Sequence, residues 1–330
     1  MENFKAIVVE EKNDDIDFSL KETSLDQLSE GDVVIKVHYS SVNYKDMLAV
    51  QKKGGVIRNY PMIPGIDLSG TVISSADERF KEGDEVIVTG FDMGMTHTGG
   101  FSEAARVKAD WIVKLPHNLS LKEAMIFGTA GFTASLSIAE LEKNGMKPEN
   151  NPRLLVTGAT GGVGSIALQI LKKTGYSNIT ALIRKDYQHH IALEFGATKT
   201  LHVDELEDGS KPLAKQNFDY VLDTVGGDVA SRLIPQISYG GCMSLCGNAG
   251  GIKINTTVLP LILRGVKLLG IDSVNVPPLK RLELWEKMAR EWNITQSAQM
   301  NEINLEQLPE IINKLKEGSH IGRTIIKITE

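Results

Sequence analysis

Cysteine is scarce in this sequence of 330 residues, which holds only Cys242 and Cys246. Both lie in one apolar run, and in an extended strand they would be roughly 13 Å apart, at about 3.3 Å per residue. A disulfide needs Cα atoms within about 7 Å of each other. The sequence therefore excludes a disulfide-stapled scaffold and predicts a protein of a reducing compartment, the cytoplasm.

Long apolar segments are lacking as well. No apolar run approaches the ~20 residues that a bilayer requires, and residues 1–5 have no signal-peptide character. Positive charge is in deficit, since 36 Lys and Arg stand against 42 Asp and Glu, a net charge of −6. On average such a surface repels nucleic acid and anionic membranes. We therefore expect neither as a partner.

Motifs for metal binding and for nucleophilic hydrolysis are also absent. The seven histidines form no His-Glu-x-x-His pair and no ligand spacing with cysteine. His189 and His190 are adjacent on a predicted helix, so we expect them on the surface, pointing in different directions. No Gly-x-Ser-x-Gly elbow occurs. The sequence predicts neither a metal site nor a serine hydrolase.

The composition that is present suits two globular domains, with 42% hydrophobic and 24% charged residues. Up to about residue 120, short β-branched segments alternate with turn residues, which predicts a β-rich module. From there to about 275, strands alternate with helical stretches, which is typical of a parallel sheet with crossover helices. A closing strand near residue 325 needs a host sheet, for which the β-rich module is the candidate.

The predicted strands are Lys5–Val9, Val33–Tyr39, Gly70–Ser74, Glu85–Thr89, Arg153–Thr157, Ile179–Arg184, Thr198–Val203, Tyr220–Thr224, Gly241–Cys246, Val266–Ile271 and Thr324–Ile328. The predicted helices cover 163–171, where apolar residues recur at helical spacing, and the stretches Leu279–Trp292 and Leu305–Glu317.

A glycine-rich turn is the strongest single motif. Gly158, Gly161 and Gly164 follow an apolar strand and open the amphipathic helix at 163–171. Glycines let the backbone approach a pyrophosphate closely, and the helix N-terminus offers N–H groups to phosphate oxygens. The spacing, G-x-x-G-x-x-G, also suits a purely structural turn, but with both flanks in place it predicts a dinucleotide site.

The residue that follows the second strand selects the dinucleotide. NAD-selective sites place Asp or Glu about 20 residues beyond the last glycine, where it binds the ribose 2′-hydroxyl. Here Arg184 and Lys185 occupy that place. The alternative is an ordinary solvated charge pair. Two cations favour the 2′-phosphate of NADPH.

Several motifs together resemble the zinc-free medium-chain dehydrogenase/reductases from end to end. Residues 41–46, 64–70, 83–86 and 99–103 are similar to the catalytic-domain motifs of that family. Residues 159–165 resemble the nucleotide turn of its quinone oxidoreductase branch. The chain also resembles the bacterial quinone oxidoreductase subfamily YhdH/YhfP, which includes acrylyl-CoA reductases. The motifs that carry this resemblance are residues 241–242, 246–251, 262–266, 270–274 and 322–324. Zinc alcohol dehydrogenases of the superfamily carry Cys where Asn43 or Tyr44 stands, and His-Glu where Ile66-Asp67 stands.

The resemblance implies an α/β architecture: a doubly wound Rossmann sheet at 122–296, and a discontinuous, β-rich GroES-like catalytic domain at 1–121 and 297–330. It also implies a homodimer with NADPH as cofactor. The residues that would line the cofactor are Tyr44, Thr160, Gly161, Gly162, Val163, Gly164, Arg184, Lys185, Lys199, Asn248, Ile262, Ser273 and the segment Gly318–Arg323, with Gly318 and Arg323 at its ends.

Hydride from NADPH needs an electrophilic small molecule: an enoyl thioester such as acrylyl-CoA, an enone or a quinone. Negative charge then develops on a carbonyl oxygen, which calls for a hydrogen-bond donor. Tyr44 and Asn43 are the candidates, against the alternatives of a buried tyrosine and a turn asparagine. The basic loop 52–58 is a candidate for coenzyme A phosphates, or a solvated loop. General quinone reduction and a non-enzymatic NADPH sensor are the competing functions.

Overall fold

The computed structural model describes residues 3–12, 15–52, 54–296, 298 and 300–329. Within them the strands are β1 (Phe4–Lys12), β2 (Asp15–Thr23), β3 (Val33–Ser41), β4 (Asp67–Ser75), β5 (Glu85–Thr89), β6 (Ala104–Val107), β7 (Ile112–Lys114), β8 (Leu154–Val156), β9 (Ile179–Ile183), β10 (Lys199–His202), β11 (Phe218–Asp223), β12 (Ile237–Leu245), β13 (Lys267–Gly270), β14 (Met300–Ile303) and β15 (Arg323–Lys327). The α-helices are α1 (Tyr44–Ala49), α2 (Leu121–Lys143), α3 (Gly162–Lys173), α4 (Gln188–Phe195), α5 (Gly227–Leu233), α6 (Leu259–Arg264), α7 (Pro278–Ala289) and α8 (Leu308–Lys316).

The chain divides into two compact units. The first consists of Met1–Thr129, Val274–Arg290 and Gln299–Glu330, and the second of Ala130–Ser273 and Glu291–Ala298. These cuts fall elsewhere than the predicted domain bounds, one of which, Ser297, lies outside the described residues. The predicted bounds therefore stay a prediction.

The first unit is built on an open sheet in the order β14-β15-β3-β4-β5-β7, with β6 paired to β3. Strand β15 lies antiparallel to β3, which confirms that the closing strand joins the β-rich module. One apolar core packs β3, β4 and β5 around Ile35, Leu68 and Val86. A second core brings Met47 of α1 against Leu308 of α8.

The second unit holds a parallel six-stranded sheet in the order β10-β9-β8-β11-β12-β13. This is the doubly wound order 3-2-1-4-5-6 of a Rossmann sheet, and it confirms the predicted fold class. Its strands read as continuous apolar runs because helices cover both faces of such a sheet. The chain reverses direction across the sheet between β8 and β11, and in this fold class ligands bind at the carboxyl ends of the strands beside that point.

Helix α2 corrects the expectation about apolar segments. By length and composition it could cross a membrane, yet 89% of its most apolar window is buried inside the protein, as in a core helix. Its small polar residues, such as Thr133 and Ser137, interrupt the run of apolar letters without lowering its mean hydropathy enough to exclude it. The helical backbone breaks inside α2 at Gly128, where φ is 50° and ψ −154°.

The two adjacent histidines and the two cysteines lie in the second unit. His189 and His190 are exposed as predicted, and their rings lie 6.4 Å apart with nearly parallel planes. Cys242 lies on β12 and Cys246 just beyond it, and both are free thiols, as predicted.

Candidate functional site

The glycine-rich turn joins β8 to α3 in the second unit. Gly158 has φ of +56°, and a Cβ there would lie 2.2 Å from Oγ1 of Thr224. A Cβ on Gly164 would lie 2.3 Å from the carbonyl oxygen of Gly158. Gly161 precedes α3, which begins at Gly162, so the N–H groups of the first helical turn face out of the turn. The backbone therefore forms a tight anion cradle of the kind that binds a pyrophosphate.

Asp223, at the carboxyl end of β11, supports this turn. Its carboxylate accepts hydrogen bonds from Oγ1 of Thr157 at 2.6 Å and from the backbone N–H groups of Val225 and Gly226. Burial raises the pKa of this carboxyl. Asp223 thus ties the start of the glycine turn to the loop after β11. Asp223 was not among the residues predicted from the sequence, although its place near the end of a predicted strand was the signal.

A groove of about 460 Å³ lies at the carboxyl ends of β11 and β12. Asn248, one of the predicted cofactor residues, lines it together with Gly226 and Gly227. A Cβ on Gly247 would lie 1.9 Å from the carbonyl oxygen of Thr224, so glycine is required where these two loops meet. All residues that line the groove belong to the second unit. The groove combines backbone amides with apolar side chains, the surroundings that a nicotinamide or ribose needs.

The predicted 2′-phosphate residues follow β9. Arg184 and Lys185 are exposed, and both of their backbone N–H groups donate to Oε1 of Gln188, at 2.8 and 3.1 Å. Nε2 of His202 lies 2.9 Å from the carbonyl oxygen of Arg184. Backbone contacts on both sides therefore hold this segment, and its two cationic side chains extend into solvent.

The other predicted cofactor residues of the second unit are spread more widely. Lys199 begins β10 level with Thr180, whereas His202 is level with Ile183, the residue before Arg184. Ile262 lies on α6 with 67% of its surface exposed. Ser273 follows β13, and its Oγ accepts a hydrogen bond from Oγ1 of Thr133 at 2.8 Å. A joint phosphate contact by Lys199 and Arg184 stays a prediction.

Tyr44 is the first residue of α1 in the first unit. It is 43% exposed, and its hydroxyl makes no hydrogen bond to the part of the chain that the structure describes. The alternative of a buried tyrosine with a satisfied hydroxyl is therefore wrong. A role of the Tyr44 hydroxyl toward a ligand stays a prediction.

Asn43, in contrast, is buried and makes its hydrogen bonds within the protein. Its Nδ2 donates to Oδ2 of Asp67 at 2.8 Å and to the carbonyl oxygen of Ser41, and its backbone N–H donates to Oδ2 of Asp46. This engagement leaves the Asn43 amide no donor for a substrate oxygen. Its geometry matches the turn-residue alternative, in which Asn43 starts the helix that carries Tyr44.

Two buried carboxylates and one guanidinium lie beneath that helix start. Asp67 accepts hydrogen bonds from the backbone N–H groups of Ser41 and Thr129 and from Oγ of Ser41. Arg323 is 2% exposed, and its Nη2 donates to the same Ser41 oxygen at 2.6 Å. The guanidinium is thus committed inside the unit, and a side-chain contact of Arg323 with a cofactor finds no support in this geometry.

Titration within the buried cluster has clear directions. Burial, and secondarily the charge of Asp67, raises the pKa of Asp46 to about 7. Burial lowers the pKa of Arg323, although both carboxylates oppose that effect. His320, in the predicted cofactor segment, has its pKa lowered to about 4 by burial and then by the charges of Arg323 and Lys314. Its Nε2 lies 2.9 Å from Oγ1 of Thr324, so His320 is a neutral hydrogen-bonding residue at pH 7.

The basic loop after α1 is exposed at Lys52 and Arg58. Gly55, in its middle, has φ of +70° and open space where a Cβ would stand. Lys53 lies outside the described residues. The loop thus presents at least two cations to solvent, and its contact with a substrate stays a prediction.

Comparison with known proteins decides the family. The model of the alcohol dehydrogenase GroES-like domain matches residues 29–117, and that of zinc-binding dehydrogenases matches residues 162–290. Acrylyl-CoA reductase AcuI of Ruegeria pomeroyi is 41% identical over 98% of this chain and 99% of its own length. The chain belongs to the medium-chain dehydrogenase/reductases.

Two solved structures of this family superpose closely. The yhdH oxidoreductase of Salmonella enterica, in complex with NADP, gives a TM-score of 0.95 at 43% identity and covers 98% of this chain and 100% of its own. The yhfP protein of Bacillus subtilis, with NAD bound, gives 0.94 at 43% identity and covers 99% and 100%. Family membership makes the chain an oxidoreductase of the YhdH/YhfP type and confirms the resemblance stated from its motifs.

One family model carries zinc in its name. Among the residues that the structure describes, no group of three or more His, Cys, Asp or Glu side chains could hold a metal ion. Asp67 of the Ile66-Asp67 pair is instead fully engaged with Ser41, Asn43 and Thr129. The Asp67 oxygens therefore accept hydrogen bonds within the protein.

Proposed function

We propose that this chain is an NADPH-dependent reductase that transfers hydride to an activated C=C bond, with an enoyl thioester such as acrylyl-CoA as the preferred substrate. The observation that carries the proposal is the glycine turn at the carboxyl end of β8, followed by Arg184 and Lys185 after β9. Relatives with bound NADP and with an acrylyl-CoA reductase name support it.

Cofactor binding is divided among three features. The N–H groups at the start of α3, residues 162–164, bind the pyrophosphate, with the positive end of that helix behind them, whereas the N–H of Gly161 donates to Gly158. Arg184 and Lys185 pair with the 2′-phosphate, helped by Lys199. In the second unit, Asn248, Ile262 and Ser273 line the remaining surface. In the first unit, Tyr44 and the segment Gly318–Arg323 are the predicted cofactor contacts, Arg323 through its backbone.

The reduction needs stabilisation of developing negative charge. When bound, NADPH would supply a hydride to the β-carbon of the enoyl group, and a proton from solvent at the α-carbon would complete the saturated product. The hydroxyl of Tyr44 donates a hydrogen bond to the thioester carbonyl oxygen as that oxygen gains negative charge. Asn43 positions α1 through Asp46 and Asp67. The basic loop 52–58 attracts the coenzyme A phosphates.

Arg184→Ala tests the cofactor assignment. A charge-assisted pair contributes roughly 1.5–3 kcal/mol, so NADPH affinity should fall about 10- to 150-fold while NADH affinity stays nearly unchanged. Lys172→Ala, which removes an exposed cation from the last turn of α3, is the matched control. Because yhfP was solved with NAD, both cofactors must be titrated. Equal losses for both would show that Arg184 has a structural role.

Salt dependence tests the substrate class. Attraction between the basic loop and coenzyme A is screened over about 8 Å at physiological ionic strength. The kcat/KM for acrylyl-CoA should therefore fall with rising salt, whereas that for a small uncharged enone should not. Preference for quinones over both would favour a general quinone oxidoreductase. NADPH binding without turnover of any of them would indicate a sensor.

A homodimer in the cytoplasm completes the proposal. Strand β13 ends the sheet of the second unit with an unpaired edge in the described part of the chain, and Val258 and Leu263, just before that strand in the sequence, expose 61% and 56% of their surfaces. Edge strands and apolar patches of this kind favour pairing with another chain. Leu263→Glu should give a monomer by light scattering. An unchanged mass would refute this interface.

A further inference from the structure

Gln188 connects two parts of the proposed cofactor site. It is the first residue of α4 and is 9% exposed. Its Oε1 accepts the backbone N–H groups of Arg184 and Lys185, while its Nε2 donates to Oγ1 of Thr160 at 2.9 Å. One buried amide therefore joins the segment after β9 to the glycine-rich turn after β8.

These contacts restrict how the segment can meet an anion. The backbone N–H groups of Arg184 and Lys185 are both used by Gln188, so a phosphate can be recognised there only by the two side chains. The oxygen of Thr160 accepts from Gln188, which leaves its hydroxyl proton to donate to another acceptor. Gln188 thus holds the backbone that carries the two cations and, at the same time, orients one hydroxyl.

Further contacts limit the motion of the same segment. Nδ1 of His202 accepts the N–H of Asp204, so Nε2 carries the proton and donates to the carbonyl oxygen of Arg184. Lys185 lies with its Nζ 5.8 Å from the ring centroid of Tyr187. Without Gln188, the carbonyl oxygen of Arg184 would keep its hydrogen bond to His202, but the backbone N–H of Arg184 would lose its acceptor.

We propose that Gln188 is a positioning residue for dinucleotide selectivity, which couples the orientation of Arg184 and Lys185 to the pyrophosphate turn at Thr160. This inference rests on the proposed function, since it assumes that Arg184 meets the 2′-phosphate. Gln188 acts through Arg184 and does not itself touch the phosphate. A cofactor that lacks the 2′-phosphate gains nothing from this alignment.

A double-mutant cycle tests the proposal, with dissociation constants of NADPH and NADH measured by cofactor fluorescence. The proteins are wild type, Gln188→Met, Arg184→Ala and the double variant, with His190→Ala on the exposed face of α4 as matched control. Loss of one buried acceptor should raise the Kd of NADPH about 5- to 10-fold and change that of NADH less than about 2-fold. In the Arg184→Ala background, Gln188→Met should change the NADPH/NADH ratio less than it does in the wild type, because only Lys185 is then left to be aligned.

Other outcomes separate the two claims. Equal weakening of both cofactors by Gln188→Met, no weakening at all, or an undiminished effect in the Arg184→Ala background overturns the inference and leaves the cofactor assignment standing. A silent Arg184→Ala overturns both. Gln188→Asn, which is shorter by one methylene and cannot reach all three partners, takes the place of Gln188→Met if that variant does not fold, with the same expectations.

Discussion

At the scale of single residues, side chains of the same motif have different tasks. Tyr44 and Asn43 are neighbours and were both candidates for the donor, yet Tyr44 is 43% exposed and Asn43 is buried in a hydrogen-bond network. Sequence alone could not separate them, because the partner of Asn43, Asp67, lies 24 positions away. The sequence did single out Arg184 and Lys185, since a local spacing places them at the end of a strand.

Tyr44→Phe tests the donor. Removing a donor from a developing oxyanion costs about 10²- to 10³-fold in kcat, and we expect a loss near the lower value because Tyr44 is partly solvated. The Kd of NADPH should change little. Tyr239→Phe, at an exposed tyrosine of the second unit, is the control. A rise in the Kd of NADPH with unchanged kcat would mean that Tyr44 only lines the cofactor.

Asp46→Asn tests the buried cluster through pH. The pKa of Asp46 is about 7 in the folded protein, above its ordinary value of 3.8 in the unfolded chain. As pH rises from about 4 to 7, the unfolded state releases this proton first. The free energy of unfolding therefore decreases, by about 1.4 kcal/mol for each unit of pH. Asparagine cannot ionise, so the variant should lose less stability over this window.

The slope of stability with pH, measured by urea unfolding, decides this prediction. Asparagine offers one oxygen where aspartate accepts from both Asn43 and Ile66, so the variant carries a constant cost at every pH. Parallel profiles for the two proteins would show that Asp46 is not protonated in the folded state near neutral pH.

At the scale of elements, local sequence patterns predicted most strands and the helices α3, α7 and α8, but not α2, the longest of the described helices. Strands β2, β6, β7 and β14 escaped prediction. The last three hold only three or four residues, and β14 is paired with a strand more than 20 residues along the chain. Helix α2 was misjudged because a count of apolar letters does not measure mean hydropathy. Pairing between distant segments is a tertiary property that no local window contains.

Gly128→Ala tests the break in α2. Its backbone angles lie in a region that only glycine enters readily, and a Cβ there would lie 2.4 Å from Oγ of Ser41 and 2.8 Å from Oδ2 of Asp67. We expect a loss of about 2–4 kcal/mol in the free energy of unfolding. Gly265→Ala is the matched control, because Gly265 also has positive φ but open space around it. Equal losses for both variants would refute a role for the buried cluster.

At the scale of the whole molecule, family membership and fold agree with what the motifs predicted, whereas the substrate depends on details that the fold does not determine. The second unit carries the glycine-rich turn and the predicted 2′-phosphate residues, and the first unit carries Tyr44 and the buried carboxylates beneath it. The predicted domain bounds and the proposed homodimer also belong to this scale.

Product analysis of one reaction tests the central claim most directly. NADPH and acrylyl-CoA are incubated with the protein in the presence of a metal chelator, and NADPH oxidation is followed while propionyl-CoA is quantified by mass spectrometry. We predict that one propionyl-CoA forms for each NADPH consumed, that the rate is lower with NADH, and that the chelator has no effect. An absence of propionyl-CoA at NADPH concentrations that saturate binding would contradict the account.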